Sequence, residues 1–336
     1  MRILVVGAGA TGGYFGARLA AAGRDVTFLV RPARAEQLRA HGLELVSPHG
    51  DLRIEPRCVT VTELRPDYDA IILAVKAYAL DAALDDLAPA VGPRAMVLPF
   101  LNGMRHLDAL VARFGEEPIL GGVCLVATQL DDRGRIVQLS GMQELVYGER
   151  DGRASDRVAA LDAALQGAGF AARSSERIMA EMWNKWVVLA TIGALTCLLR
   201  GNIGEIAAAP GGREIALAQL NECVAVASAE FGQPPDAAFI ERVRGMVTEM
   251  GSPLATSMYR DLQQARHVEA DQIVGDLLVR AHRAGIATPL LAAAFANLRV
   301  YDARVTAKSA AACGDAANAT DSAQPNPAMR GAAPER

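Results

Sequence analysis

The chain has little with which to attract a polyanion or to cross-link itself. Its 336 residues include 34 Lys and Arg against 38 Asp and Glu, a formal net charge of −4. That balance excludes a general attraction to nucleic acid, and Arg31, Arg34 and Arg39 fit mostly a solvated helix face. The five cysteines, at 58, 124, 197, 223 and 313, are odd in number, scattered and without a C-x-x-C. Reduced thiols in the cytoplasm are expected rather than a disulfide framework. Five histidines show neither H-x-H nor H-E-x-x-H spacing, so no metal site is expected. No internal repeat and no targeting segment is visible. The longest apolar run, Trp186 to Leu199, is short for a bilayer and is bounded by Lys185 and Arg200, which favours a buried helix and no membrane role. Aromatic residues are scarce at 5%, while 51% of the chain is apolar and 21% charged, as in an alanine-rich α/β protein. At this length two domains with substantial cores are expected.

What is present is concentrated at the start. Ile3-Leu4-Val5-Val6 is an apolar run of the kind a buried parallel strand requires, and it breaks at Gly7. A helical pattern then runs from Thr11 to Ala22, with Gly23 as its stop. Strand, glycine turn and helix are the context in which G-x-G-x-x-G points to a dinucleotide. Gly7, Ala8, Gly9, Ala10, Thr11 and Gly12 are therefore the candidate phosphate loop. Gly7 permits the tight turn, Gly9 lets backbone approach a pyrophosphate, and Gly12 lets the helix pack on the strand. The helix start offers free N–H groups to the phosphates.

The second strand, Asp25 to Val30, ends at Arg31, about twenty residues past the glycines. An NAD-preferring site carries a carboxylate there. A guanidinium instead pairs with a 2′-phosphate, which points to NADPH.

Further along, Pro32 suits the first position of a helix that runs to His41 and stops at Gly42. Leu43–Ser47 and Leu52–Val61 are expected to form a hairpin. Strands are expected at Asp69–Val75 and Ala95–Leu101, with helices at Leu80–Leu87, up to Phe114 and at Ser155–Gln166. Ile119–Thr128, Arg135–Leu139 and Glu144–Tyr147 have a mixed strand character. From Ser175 the strand signals cease and helical periodicity continues to about Asp302. The division expected is residues 1–173, residues 174–305 and a loose tail over residues 306–336 that is poor in patterned hydrophobicity.

Three groups of residues can carry chemistry. Lys76 and Asn102 each follow a predicted parallel strand, at the sheet edge where α/β proteins form their ligand crevice. A solvated loop lysine and an Asn-Gly turn are the plainer alternatives. Next, Met182-Trp183-Asn184-Lys185-Trp186-Val187-Val188-Leu189 lies in a helix apolar on nearly every face, from Ile178 to Leu199, with Ser175 placed to cap it. A lysine there either reaches water along its stem or has its pKa lowered by burial and donates a proton. Lastly, Ser252-Pro253 has the form of a helix cap with Pro at the first position. Ser257 and Asp261 share a helix face, and Glu269 stands near the start of the next helix, where an acid also complements the dipole.

In this order and spacing, G-A-G-A-T-G with Arg31, A-V-K at 74–76, N-G at 102–103, E-M-W-N-K-W at 181–186 and S-M-x-x-D…E from Ser257 to Glu269 resemble the ketopantoate reductase (2-dehydropantoate 2-reductase) family, over residues 1–302. The resemblance implies an α/β fold with an N-terminal Rossmann-type dinucleotide-binding domain, an all-helical C-terminal domain and an active site between them. It further implies Lys185 as general acid and NADPH contacts or framing from Lys76, Asn102, Glu269 and backbone near Ala127. Ser257 would touch substrate. Leu189 and Gly193, four and eight residues beyond Lys185, stand where pantoate-forming members usually carry Asn. Ile203 and Val268 likewise replace a family Asn and Thr. Lys185, Leu189, Gly193, Ser257 and Asp261 thus make up the expected substrate side.

The leading expectation is NADPH-dependent reduction of a 2-oxo acid, 2-dehydropantoate first, in pantothenate and coenzyme A biosynthesis. The alternative is a more apolar 2-oxo acid or carbonyl. A third reading, a non-catalytic NADPH-binding sensor, predicts loss of Lys185, which is present. The partner expected is a small molecule, with a homodimer left open. Exchange of Arg31 for Asp is expected to reduce or reverse the preference for NADPH over NADH, read as the two dissociation constants. Equal affinity for both in the unaltered protein would contradict the role given to Arg31.

Overall fold

The computed structural model of the chain describes residues 1–321. Its first half alternates β1 (Arg2–Val6), α1 (Ala10–Ala21), β2 (Asp25–Leu29), α2 (Pro32–His41), β3 (Leu43–Val46), β4 (Leu52–Ile54), β5 (Arg57–Val59), β6 (Ala70–Leu73), α3 (Leu80–Leu87), β7 (Met96–Pro99) and α4 (Arg105–Phe114). It then continues through β8 (Leu120–Leu130), β9 (Ile136–Glu149), α5 (Asp156–Leu165) and β10 (Ala171–Ser174). One sheet has the order β5-β2-β1-β6-β7, with every neighbouring pair parallel. Helices cover both faces, so β1 is apolar and buried from Ile3 to Val6. Leu4 and Val6 face one core while Ile3 and Val5 face the other, as the two-residue period of a strand requires. The chain order reverses between β1 and β6, which opens a crevice beyond their carboxyl ends.

The glycine loop is close-packed against this sheet. Gly7 takes a φ of +97°, open to glycine without penalty. A Cβ on Gly12 would lie 2.2 Å from the Gly7 carbonyl oxygen and 2.8 Å from the Ala74 Cβ, so α1 approaches β1 and β6 only because that side chain is missing.

A second sheet runs β10-β9-β3-β4, with β8 antiparallel to β9. Here the structure corrects the expected hairpin. Its first arm and the start of the second do pair, as β3 and β4, but the second arm breaks at Pro56, and β5 joins β2 in the other sheet. Proline has no N–H for the ladder, which ends the pairing there. Arg135–Leu139 and Glu144–Tyr147, expected as separate strands, belong to the single strand β9. The Ser-Gly-Met-Gln interruption between them is a bulge. Val126 pairs with Gln143 and Thr128 with Gln138, so four residues of β9 oppose Ala127 alone.

The second half is helical: α6 (Ile178–Leu199), α7 (Ile203–Ala208), α8 (Gly212–Phe231), α9 (Ala237–Thr248), α10 (Ser257–Gln263), a π-helical turn (Asp271–Gly275), α11 (Asp276–Arg283) and α12 (Pro289–Asp321). Among the described residues α6 alone is long and apolar enough to cross a membrane by length and composition, since its apolar stretch extends back past Lys185 to Ile178. Two-thirds of that stretch (67%) is buried within the protein. The helix is the centre of the core that Leu4 and Val6 also face, packed by α8, α12, α10 and α7 and by β8.

Three local expectations change. Ser175 does not cap α6, whose first residue is Ile178 and whose capping position, Arg177, makes no side-chain cap; the Ser175 hydroxyl instead donates to Glu181 at 2.5 Å and accepts the Arg177 N–H. Ser252-Pro253 starts no helix, because Ser252 and Leu254 carbonyls accept the Gly204 and Ile203 N–H groups at the head of α7. Helix α10 starts instead at Ser257, capped by Thr256. The loose tail expected from residue 306 is helical as far as Asp321, because its alanine-rich composition favours helix even without an apolar stripe. The rest of that expectation, residues 322–336, lies outside the described residues.

Substituting Gly12 by Val is expected to destabilise the protein by about 3 kcal/mol, the upper end of overpacking effects, and to weaken dinucleotide binding. Thermal unfolding with and without NADPH measures both, and an unchanged melting temperature would contradict the packing described.

Candidate active site

Four elements of the first sheet end at one edge. Gly7 follows β1, Arg31 follows β2, Lys76 follows β6 and Asn102 follows β7. The α1 helix begins at Gly9 without a side-chain cap and without an acidic residue in its first turn, so its N–H groups are uncompensated. A Cβ placed on Gly9 would meet nothing within 4 Å. An open space over a bare helix start fits the pyrophosphate of a dinucleotide. Arg31 is exposed at the capping position of α2, beyond the carboxyl end of β2.

Lys76 reaches across to the helical half. Its Nζ lies 3.2 Å from Asp261 Oδ2 on α10 and 3.6 Å from Glu269 Oε2. The other Glu269 oxygen accepts the Ala77 N–H at 2.9 Å, and the Glu269 side chain is only 8% exposed. Burial lowers the Lys76 pKa, but the Glu269 and Asp261 carboxylates outweigh it and hold the ammonium above its ordinary range. Asp261, expected on the substrate side, is therefore an ion-pair partner of Lys76 in this structure.

Lys185 has the opposite balance. It is partly buried on α6, and burial lowers its pKa more than Cys124 and Glu269 raise it. It forms no hydrogen bond or ion pair among the described residues. Two lysines at one crevice thus differ in kind: Lys76 is a fixed cation, while Lys185 is eased toward giving up its proton.

The segment around Lys185 is held from behind. Trp186 Nε1 donates to the Ile273 carbonyl at 2.9 Å, within the π-helical turn. The Arg280 guanidinium lies 5.8 Å from the Trp183 ring centre and 5.6 Å from that of Trp186. Arg280 also pairs with Asp276 and Glu230, and with Asp108 of α4 at 2.5 Å, which ties the helical half to the first. Its exposure of 9% makes these partners necessary.

Beyond Lys185 the floor of α6 is apolar. Leu189 packs against the core, and Gly193 is buried with the Met258 Sδ-methyl and the Thr256 hydroxyl as its neighbours across the gap. A Cβ on Gly193 would come within 2.9 Å of Met258 Cε and 3.5 Å of Thr256 Oγ1. Ser257 follows at the start of α10, partly buried. Ala127 is the unpaired residue of β8 opposite the β9 bulge.

Residues 3–152 match the family described as ketopantoate reductase PanE/ApbA, and residues 177–302 match ketopantoate reductase PanE/ApbA C terminal. The chain belongs to the ketopantoate reductase family. It is 37% identical over 303 residues to the uncharacterized oxidoreductase YkpB of Bacillus subtilis (strain 168), across 90% of this chain and 99% of that protein. It is 28% identical over 320 residues to a 2-dehydropantoate 2-reductase of Mesorhizobium japonicum, across 89% of this chain and 97% of the relative. A ketopantoate reductase family crystal structure from Ralstonia eutropha JMP134 is similar with a TM-score of 0.81 at 25% identity, over 91% of this chain and 100% of the other. A D-mandelate dehydrogenase in ternary complex with NADH and anilino(oxo)acetate gives 0.80 at 25% identity, again over 91% and 100%.

Within this ketopantoate reductase family member, the tertiary structure adds residues that the motifs do not reveal. Arg34, assigned from sequence to a solvated face, turns back over the glycine loop. Its Nη2 donates to the Ala8 carbonyl at 3.2 Å and its Nη1 to Gln37 at 2.6 Å. Cys124 on β8 is a buried thiol within reach of the Lys185 charge, and burial pushes its pKa up to about 11. Gln272 donates to the Asn102 carbonyl at 3.0 Å, and His106 is wholly buried beside them. Arg34, Cys124, Gln272 and His106 stand in no motif, so their places come from the tertiary structure alone.

Proposed function

We propose that the chain is an NADPH-dependent reductase of 2-oxo acids, with 2-dehydropantoate as the leading substrate and pantoate as its product. The observation that carries this reading is Lys185: a lysine without a partner, its pKa lowered by burial, beside the crevice that holds the glycine loop, Lys76 and Asn102. Membership of an oxidoreductase family and the similarity to structures that contain NADH support a nicotinamide dinucleotide. Arg31 and the adjacent Arg34 support NADPH within that class. Reduced buried thiols at Cys124, Cys197 and Cys223 are in keeping with a cytoplasmic setting.

When bound, the reduced nicotinamide would supply a hydride to the keto carbon. The chain would do the rest. The glycine loop and the start of α1 bind phosphate, and Arg31 with Arg34 holds the adenosine end. Lys76, fixed by Asp261 and Glu269, keeps the two halves in register along the crevice. As the C–O bond gains charge, Lys185 gives its proton to that oxygen and later recovers one from water. A lysine of ordinary pKa is a weaker acid at neutral pH, so the effect of burial is in the useful direction. Lys185→Ala is expected to lower kcat by about 10²–10⁴-fold while leaving the NADPH Kd nearly unchanged. Since the acid acts only when protonated, reduction should be lost as pH rises through the depressed Lys185 pKa, below the 10.5 of an ordinary lysine. That limb should be missing in Lys185→Ala. Near-normal turnover by the variant would leave Lys185 with a structural role only.

A second reading keeps the chemistry and changes the acid. Leu189 places hydrocarbon, and Gly193 a bare backbone closed over by the Met258 methyl, where a hydroxylated substrate calls for hydrogen-bond donors, and a pocket built for hydrogen bonds discriminates far better than an apolar one. The likeness to a D-mandelate dehydrogenase supports a larger apolar group there. NADPH oxidation across a panel of 2-oxo acids, ketopantoate included, separates the two. Asn at both positions 189 and 193 should raise activity on ketopantoate relative to apolar acids. Strong selectivity of the unaltered protein for ketopantoate would sink the second reading.

A further inference from the structure

One strip of α6 is left open. Arg177, Ala180 and Asn184, spaced by one and two helical turns, line a cleft between the start of α6 and the connection from α8 to α9. The cleft has two lobes that share those residues and Asp236. The first, a cavity of about 180 Å³, is walled by Trp183, Ala227, Phe231 and the Pro234-Pro235 pair. The second, of about 290 Å³, continues over Phe239 and Arg242 of α9. A cavity of about 150 Å³ already holds a benzene ring. Lys185 follows Asn184 in the chain but is turned about 100° from it around the helix, and it lines neither lobe. The glycine loop, Lys76, Asn102 and Glu269 line neither lobe either, so the cleft is distinct from the crevice.

The charged groups of the cleft are unequally engaged. Glu181 is taken up: its two oxygens accept from Arg173 at 3.0 and 2.5 Å, and one of them also accepts from Ser175. Asp236 uses Oδ1 to cap α9, accepting the Ala238 N–H at 2.8 Å. The cations are not so held. Arg177 and Arg242 are exposed and form no ion pair or side-chain hydrogen bond among the described residues. The backbone N–H of Arg177 is bonded to Ser175, and the Arg242 guanidinium lies 5.5 Å from the Phe239 ring centre. The side-chain amides of Asn184 and Gln233, also on the cleft, have no partner among the described residues. Two unpaired guanidiniums and two free amides thus converge on an apolar floor, the usual form of a small-molecule site. Guanidinium is the natural partner of a carboxylate. The nearby Asp236 charge favours a singly charged anion over a doubly charged one such as phosphate.

We infer that this cleft is a second binding site, for a small organic acid whose carboxylate lies between Arg177 and Arg242 and whose apolar body rests on Trp183 and Phe231. The site does not depend on the reductase reading and is measurable without turnover. It is nevertheless joined to the proposed acid. The Trp183 and Trp186 rings pack with their centres 5.0 Å apart, and the two residues flank Asn184 and Lys185 in the chain. A ligand on the Trp183 ring therefore touches the helical turn that carries Lys185 without entering the crevice.

Phenylacetate is the probe, with phenylacetamide as its neutral counterpart. The chain has two tryptophans, at 183 and 186, so intrinsic fluorescence reads binding against Trp183, and calorimetry gives the stoichiometry. Both are run on the full chain, with and without saturating NADPH. One phenylacetate per chain is expected, with a Kd on the order of 0.1–1 mM, and phenylacetamide should bind about tenfold more weakly or worse. Arg177→Ala and Arg242→Ala, both at exposed positions, should each weaken phenylacetate by about three- to tenfold, with a larger loss when combined and the NADPH Kd unchanged. Ala180→Phe puts a ring where the two lobes meet and should abolish binding. Should that variant fail to fold, the arginine variants carry the test. Absence of binding at millimolar phenylacetate overturns the proposal, as does equal affinity for the amide. Binding that survives the paired arginine changes and is displaced by a 2-oxo acid belongs to the crevice, which overturns the second site and leaves the reductase reading in place. A dimer that Ala180→Phe dissociates gives the cleft to a second copy of the chain and likewise overturns it. Arginine-dependent binding in a protein that reduces no 2-oxo acid upholds the site and removes the reductase reading.

Discussion

The structure depends on one constraint: α6 is apolar on nearly all of its faces and has to be covered on all of them. A helix with a single apolar stripe lies on the surface of a core, whereas one without a polar side becomes the core. Helices α7, α8, α10 and α12 enclose most of it. Its first turns are covered by the other half of the molecule, where Gly121 and Gly148 of the β8–β9 pair lie close enough to Ile178 that a Cβ on either would reach its side chain at 2.8 and 3.4 Å. The two halves therefore share a hydrophobic core that runs from Leu4 and Val6 through Trp186 to Leu298. A lysine inserted in this helix has nowhere polar to go except the crevice, and there it is partly dehydrated.

Charge in the crevice is arranged in two ways. Lys76 sits between two carboxylates of the helical half, so its charge is compensated and its proton retained. Lys185 has no such partner, and burial acts on it almost alone. The same side chain thus forms a clasp at one position and is the proposed acid at the other, because environment rather than residue type sets the pKa. The clasp and the acid are linked through Glu269, which pairs with the first and influences the second.

The π-helical turn is where the halves are registered. It accepts the Trp186 indole at Ile273, gives the Gln272 amide to Asn102 and presses its backbone on Gly103. An extra residue per turn opens the helix hydrogen bonding locally, which is why such turns recur beside functional groups. Here it lets a single short segment reach the indole next to the acid and the loop beside the expected nicotinamide. Arg280, stacked over both tryptophans and bonded to Asp108, completes the support from behind.

Much of this was legible in the order of residues. Periodicity placed β1, α1, α2, α3, α4, α5 and α6 within a few residues, because each is bounded by glycine, proline or a cap whose preference is local. The Gly7–Gly12 loop with Arg31 was legible for the same reason: its meaning depends on a strand, a turn and a helix that are contiguous in the chain. What fails from sequence is whatever depends on a distant partner. The break after β4 depends on β5 finding β2, the bulge in β9 on Ala127 of β8, and the fate of Ser252 on the head of α7. The site divides likewise. Lys76, Asn102, Lys185 and Glu269 can be nominated one at a time from motif and polarity. Their pairing cannot, since Asp261 and Lys76 are 185 residues apart and only folding brings them to 3.2 Å. Arg34 and His106 carry no signal in isolation, one being an arginine on a charged helix and the other a histidine on an apolar face. The sequence by itself determined the two kinds of domain and the dinucleotide loop, because these rest on local steric and hydrophobic preferences. The tertiary structure alone decided which lysine is neutralised and which is left without a partner, because that depends on distance and dehydration.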